Sequence, residues 1–216
     1  MKKSNIAATV AISGMLAGAI FITTSISSPQ IVAQAKAVQK QLIPGTYTVG
    51  KDLNAGRYTV TATGGSGNFS TEPKHSLTGE SVNEILQQDD PDMGVSQVTA
   101  DFAKGDKVEI SGMAGANFAP VTNRNKSNAS SLSTGYWVVG KDIKAGNYTV
   151  TPADGQSGNF MVDPKSLTGS DVNEVLGGDT DMHQVPKVNV SLHKGDKITV
   201  SGMNSVNFVN RGKFYN

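Results

Sequence analysis

The chain has 216 residues, with 19 Lys+Arg against 18 Asp+Glu and no cysteine. A balance this close to neutral gives no broad electrostatic pull toward nucleic acid or an anionic membrane, and without cysteine there is no disulfide framework and no thiol for a lipid. Many glycines and few aromatics suit short strands joined by tight turns.

The chain opens with Lys2 and Lys3, then runs without charge from Ile6 to Ile22, and reaches Ala33-Gln34-Ala35 overlapped by Ala35-Lys36-Ala37. A positive start, an apolar middle and small residues at a cleavage site are the parts of a secretory signal peptide. Residues 1–35 are therefore expected to be removed on export. As a retained span the run is near the lower length limit, and Ser13, Gly14 and Gly18 weaken it. Cleavage takes away Lys2 and Lys3, leaving 17 Lys+Arg against 18 Asp+Glu. No membrane contact is expected after it.

From Gly45 onward the chain is duplicated. The segment from Gly45 to Thr61, with Val49-Gly50-Lys51-Asp52 and Ala55-Gly56, matches the segment from Gly135 to Thr151, with Val139-Gly140-Lys141-Asp142 and Ala145-Gly146, at an offset of 90. Gly67-Asn68-Phe69 matches Gly158-Asn159-Phe160 one residue out of step. Val82-Asn83-Glu84 and Val172-Asn173-Glu174, Lys104-Gly105-Asp106-Lys107 and Lys194-Gly195-Asp196-Lys197, and Ser111-Gly112-Met113 and Ser201-Gly202-Met203 return to 90. The two copies are expected as modules at 42–122 and 134–213, with the polar stretch 123–133 a flexible linker between them.

Within a copy, Thr46–Val49 and Tyr58–Thr61 alternate Thr with Tyr or Val, a strand pattern with one buried face. The link between them is rich in turn residues. Val98–Phe102 and Val108–Ile110 flank Lys104-Gly105-Asp106 as a hairpin, and Asn117–Val121 reads as a last strand. Val82, Ile85 and Leu86 are spaced i, i+3, i+4 on one helical face, as are Val172, Val175 and Leu176, so one short helix is expected per copy over 78–86 and 170–176. The fold class expected is mainly all-β: two tandem small antiparallel β-sandwich or barrel modules, each with one short helix.

Duplication supplies a test of chemistry, since residues serving a shared task recur in both copies. His75 falls in the insertion, and His183 and His193 align with Met93 and Ala103, so no histidine passes and none is expected to be catalytic. Asp90 and Asp92 in one copy, with Asp179 and Asp181 in the other, are weak candidates for Ca²⁺, which takes six to eight oxygens. They lack the EF-hand spacing, and solvated turns explain them more simply. Asp52, Asp142, Asp106 and Asp196 recur beside glycine as turn formers. Lys104–Lys107 has neither the glycine run nor the helix of a phosphate loop. Among aromatics, Tyr47, Tyr136 and Trp137 are the ligand-binding candidates, although rings in phase with valine belong to a core first. Tyr136 is out of phase with Trp137 and is expected to be exposed.

The doubled pattern Gly-x-Tyr/Trp-x-Val-Gly-Lys-Asp-Leu/Ile-x-Ala-Gly-x-Tyr-Thr-Val resembles a module of exported proteins of Gram-positive bacteria, best over 45–61 and 135–151. The resemblance implies a cell-envelope setting and transfers no catalytic residue. A secreted protein, free or held non-covalently at the wall, follows as the expectation. It is expected to be non-enzymatic, to use no cofactor and to bind a cell-wall or host-surface polymer, with no nucleic acid partner. A spacer without a small ligand is the alternative, and a hydrolase using Asp92 and Asp181 comes last.

Overall fold

The computed structural model describes residues 36–75, 79–90, 93–124, 129–167 and 169–212. The expected signal peptide lies outside these residues. The Tyr-Thr-Val alternation does what its period requires. In β3 (Gly56–Ala62) Tyr58 and Val60 are fully buried while the threonines between them are half-buried. In β10 (Gly146–Pro152) Tyr148 and Val150 are buried likewise.

In the first repeat, β1 (Lys40–Leu42), β8 (Ala116–Pro120), β3 and β6 (Val98–Phe102) lie side by side in that order. A second sheet runs β2 (Gly45–Thr48), β7 (Lys107–Ser111), β4 (Ser66–Glu72), β5 (Asn83–Gln87). Every neighbouring pair in both sheets is antiparallel. Side chains from both sheets meet in one core, where the rings of Tyr58, Phe69, Phe102 and Phe118 pack at centroid distances of 5.9–6.4 Å.

The second repeat uses longer strands for the same plan. β9 (Ser131–Val138) does the work of β1 and β2, and β14 (Lys197–Asn210) that of β7 and β8, with the register shifting between Val200 and Ser205. One end of β14 pairs with β10, which pairs with β13 (Val188–Leu192). The other end pairs with β11 (Gly158–Asp163), which pairs with β12 (Val172–Leu176). Its core is separate from the first and is built around Tyr148, Phe160 and Phe208.

Two expectations are corrected. The helices expected over 78–86 and 170–176 are strands β5 and β12, and no helix occurs among the described residues. Positions i and i+4 share a face in a strand as well as in a helix, so Val82 with Leu86 could not discriminate. Ile85 decides it: 52% exposed, it points away from the core that buries Val82 and Leu86. Val175 is 46% exposed in the same way. The ladder to β4 sets Phe69 opposite Glu84, and Val95 bonds the other edge of β5 at Ile85 and Gln87.

The second correction concerns the tandem arrangement. Strands of both repeats belong to one ten-stranded sheet, joined where β6 meets β9 in parallel at Thr99 and Gly135. The described residues form one compact unit. Of the stretch expected as a flexible linker, Ser131–Ser133 is already part of β9, and Arg124 is bonded to Asp142.

Candidate functional site

The recurring aspartates are structural. Asp52 accepts a hydrogen bond from the Thr48 amide at 2.8 Å, and Asp142 from that of Val138 at 2.7 Å. Asp106 accepts from the amides of Lys74 and Ala103 at 2.9 and 2.7 Å, and Asp196 from those of Lys165 and His193 at 3.0 and 2.7 Å. Each carboxylate closes a loop, and Asp106, Asp142 and Asp196 are buried in doing so.

The seam between the repeats combines recurring residues, such as Gly135 and Asp142, with residues that differ between the copies. Gly135 sits against Thr99 so closely that a Cβ there would lie 2.0 Å from the Thr99 carbonyl oxygen, and its φ of +136° also favours glycine. This brings β9 over the outward face of β3 and β6. There Arg57, buried to 7% exposure, donates from Nη1 to Asp101 at 2.9 Å and from Nη2 to the Tyr136 carbonyl. Its guanidinium carbon lies 5.0 Å from the centre of the Trp137 ring, a cation–π contact. The Tyr136 hydroxyl donates to the Ser81 carbonyl, and Arg124 grips Asp142 with two donors, a bond that favours its charged form. The equivalent positions in the second repeat, Asn147 opposite Ser191 and Thr149 opposite Asn189, carry only neutral side chains.

Two glutamates of the first repeat face this seam. Glu80 accepts from the Asp101 amide at 2.6 Å, and burial raises its carboxyl to about 7. Glu84 accepts from the Gly202 amide at 3.3 Å and is raised to about 7, again by burial first. Burial, then the charges of Glu80 and Glu84, push the Tyr136 phenol up as well.

Beside the seam runs a groove of about 440 Å³. Tyr136 and Trp137 line it together with Met161, and carboxylates come from Glu80, Asp163 and Asp171 against the single Lys197. Of the ligand candidates, then, Tyr136 and Trp137 come together and Tyr47 does not. Tyr47 packs on the first core with its hydroxyl bonded to the Ile43 carbonyl at 2.8 Å. Tyr136, expected exposed, is half-buried against the first core; the seam covers it. The Trp137 indole donates to the Ser133 carbonyl at 2.8 Å.

The acidic loops form no joint site. Asp92 lies outside the described residues. Asp179 accepts from the amides of Asp181 and Met182, a turn within its own loop, and Asp90 stands in a separate turn after β5 whose amide bonds Gln87. Among the described residues no three His, Cys, Asp or Glu side chains gather as metal ligands. His75, His183 and His193 are exposed.

Arg57, Glu80 and Arg124 escaped the sequence reading. Duplication draws attention to what recurs, and these residues do not: Arg57 stands against Asn147 and Glu80 against Ser170. Comparison with protein-family models, with curated proteins and with solved structures gave no match.

Proposed function

We propose that this is an exported, non-enzymatic binding protein for an extracellular polymer, each repeat a small β-sandwich, with the seam groove as the ligand site. The observation that carries this reading is the convergence of Tyr136 and Trp137 on one groove whose remaining polar side chains are half carboxylates. Ring faces give sugars a stacking surface, and carboxylates accept hydrogen bonds from hydroxyl groups. A concave site with a few convergent polar groups is where a ligand is expected. The polymer is one of a cell wall or a host surface.

The test is retention of the full chain on purified insoluble cell wall and on immobilised host glycans. Met161→Arg fills the groove from an exposed position, 38% exposed in the wild type, without touching either core. Retention on one polymer, lost at least about five-fold in this variant with its circular dichroism unchanged, supports the reading. No retention of the wild type on any of them, or equal retention of the variant, refutes it. A spacer role is the second reading, favoured by the seam itself, since a locked joint holds two repeats at a fixed separation. It expects no retention.

A further inference from the structure

We infer that each repeat carries a second, independent site: a triad of lysines that binds a linear phosphate-bearing polymer. The inference stands apart from the seam groove and does not need it.

Lys51, Lys74 and Lys104 of the first repeat recur as Lys141, Lys165 and Lys194 in the second, and all six are exposed. They come from three loops that the fold ties together. The turn after β2 and the turn before β7 exchange backbone hydrogen bonds, Val49 N to Asp106 O and Gly105 N to Val49 O, each 2.9 Å. Val139, Asp196 and Gly195 repeat both bonds at 2.9 Å. The third loop is fastened by the bond from the Lys74 or Lys165 amide to the buried aspartate. The stem of Lys104 lies over Gly50, where a Cβ would sit 2.6 Å from its Cγ, and that of Lys74 lies over Gly105 at 2.6 Å from its Cδ. Lys194 covers Gly140 and Lys165 covers Gly195 in the same way, at 2.9 and 2.5 Å. The glycines let two lysine stems cross the turns in each repeat, and Lys51 and Lys141 follow Gly50 and Gly140 in the turns that those stems cross.

The charges there are not answered from within. Asp106 and Asp196 are buried and bonded to backbone amides, and Asp52 and Asp142 likewise serve Thr48 and Val138. None of the six lysines takes part in an ion pair among the described residues. Glu72 and Asp163 stand across the ladder from the neighbouring Lys107 and Lys197, and Glu80 lines a hollow with Lys104. Grouping ammonium groups costs stability. The copies have diverged at the seam yet both keep this grouping.

Three compact ammonium donors suit phosphate, which offers several acceptor oxygens and more charge than a carboxylate. None of the described loop residues here is an exposed Phe, Tyr or Trp, and the exposed rings of His75 and His193 have no counterpart in the other repeat, so the two repeats share no stacking platform for bases. Among the described residues Leu167 is the one large exposed apolar side chain of these loops, which favours a soluble polymer over a bilayer. Two triads in one chain gain from a ligand with repeated phosphates.

The probe is long-chain inorganic polyphosphate, titrated calorimetrically into the full chain at low and near-physiological salt. Binding is expected to weaken as salt rises. Replacing either triad by glutamine keeps the stems over the glycines and removes the charge, so the thermal midpoint stays put while affinity falls about ten-fold; losing both triads abolishes binding. Arginine in place of the same lysines retains it. A charge-matched control, Lys40→Gln, Lys187→Gln and Arg211→Gln, stays within about two-fold. The inference is overturned if wild type shows no binding, if folded triad variants bind normally, or if the control loses as much. It is equally overturned if polyglutamate, duplex DNA or anionic phospholipid vesicles bind as tightly as polyphosphate.

Discussion

Arg57 is held by three different kinds of contact, and no other cation satisfies all of them. Its fork bonds Asp101 and the Tyr136 carbonyl while its plane lies over Trp137. Arg57→Ala is expected to cost about 2–3 kcal/mol, since it removes a buried side chain together with its charged hydrogen bonds and its cation–π contact. Arg57→Lys recovers little of it, because a single ammonium cannot serve both acceptors and the ring. Urea denaturation of the three chains checks this; a lysine variant as stable as wild type contradicts it. Glu80 and Glu84 give the seam a pH dependence. Both ordinarily titrate near 4.5 and stand near 7 in the folded chain. The folded state therefore keeps two protons that the unfolded chain releases across that interval. Stability falls as pH rises from 4.5 to 7, by about 1–2 kcal/mol for each group after allowance for solvent, and is flat above. The thermal midpoint should drop between about pH 4.5 and 7 in wild type and much less in the Glu80→Gln, Glu84→Gln double variant; equal slopes would contradict the assignment.

At the scale of elements, the strands that were legible are those whose alternation is carried by large β-formers: Tyr58 with Val60, Val98 through Phe102, Val108 with Ile110. β4 was not legible, because Ser66-Gly67-Asn68 has no branched residue and its buried face shows just Phe69 and the polar Thr71. β5 was misread because an even spacing suits both periods. Its strand character predicts an asymmetry between neighbours. Ile85→Glu should change stability by no more than about 0.5 kcal/mol, while Leu86→Ala, beside it and fully buried, should cost about 2–5 kcal/mol. On a helical face both substitutions would be costly, so comparable losses in denaturant titrations would restore the helix. The seam was beyond reach for a different reason. Its contacts join residues as far apart as Arg57 and Tyr136, and they exist only because Gly135 lets β9 settle on β6. Of the candidate site, the two aromatic side chains were legible and the charged groups that frame them were not.

At the scale of the whole molecule, two cores remain distinct while one sheet passes between them. The seam thereby sets where Tyr136 and Trp137 stand, and the groove exists only while it holds. Trp137 is the only tryptophan in the chain and it lies at this joint, so its fluorescence reports the seam while circular dichroism reports the strands of both repeats. Following both signals through one urea titration of the full chain is the most direct test. A seam that is part of the cooperative fold predicts a single midpoint shared by the two signals. A Trp137 transition completed at clearly lower urea, with the β signal still intact, would mean the repeats part before they unfold and would contradict the account.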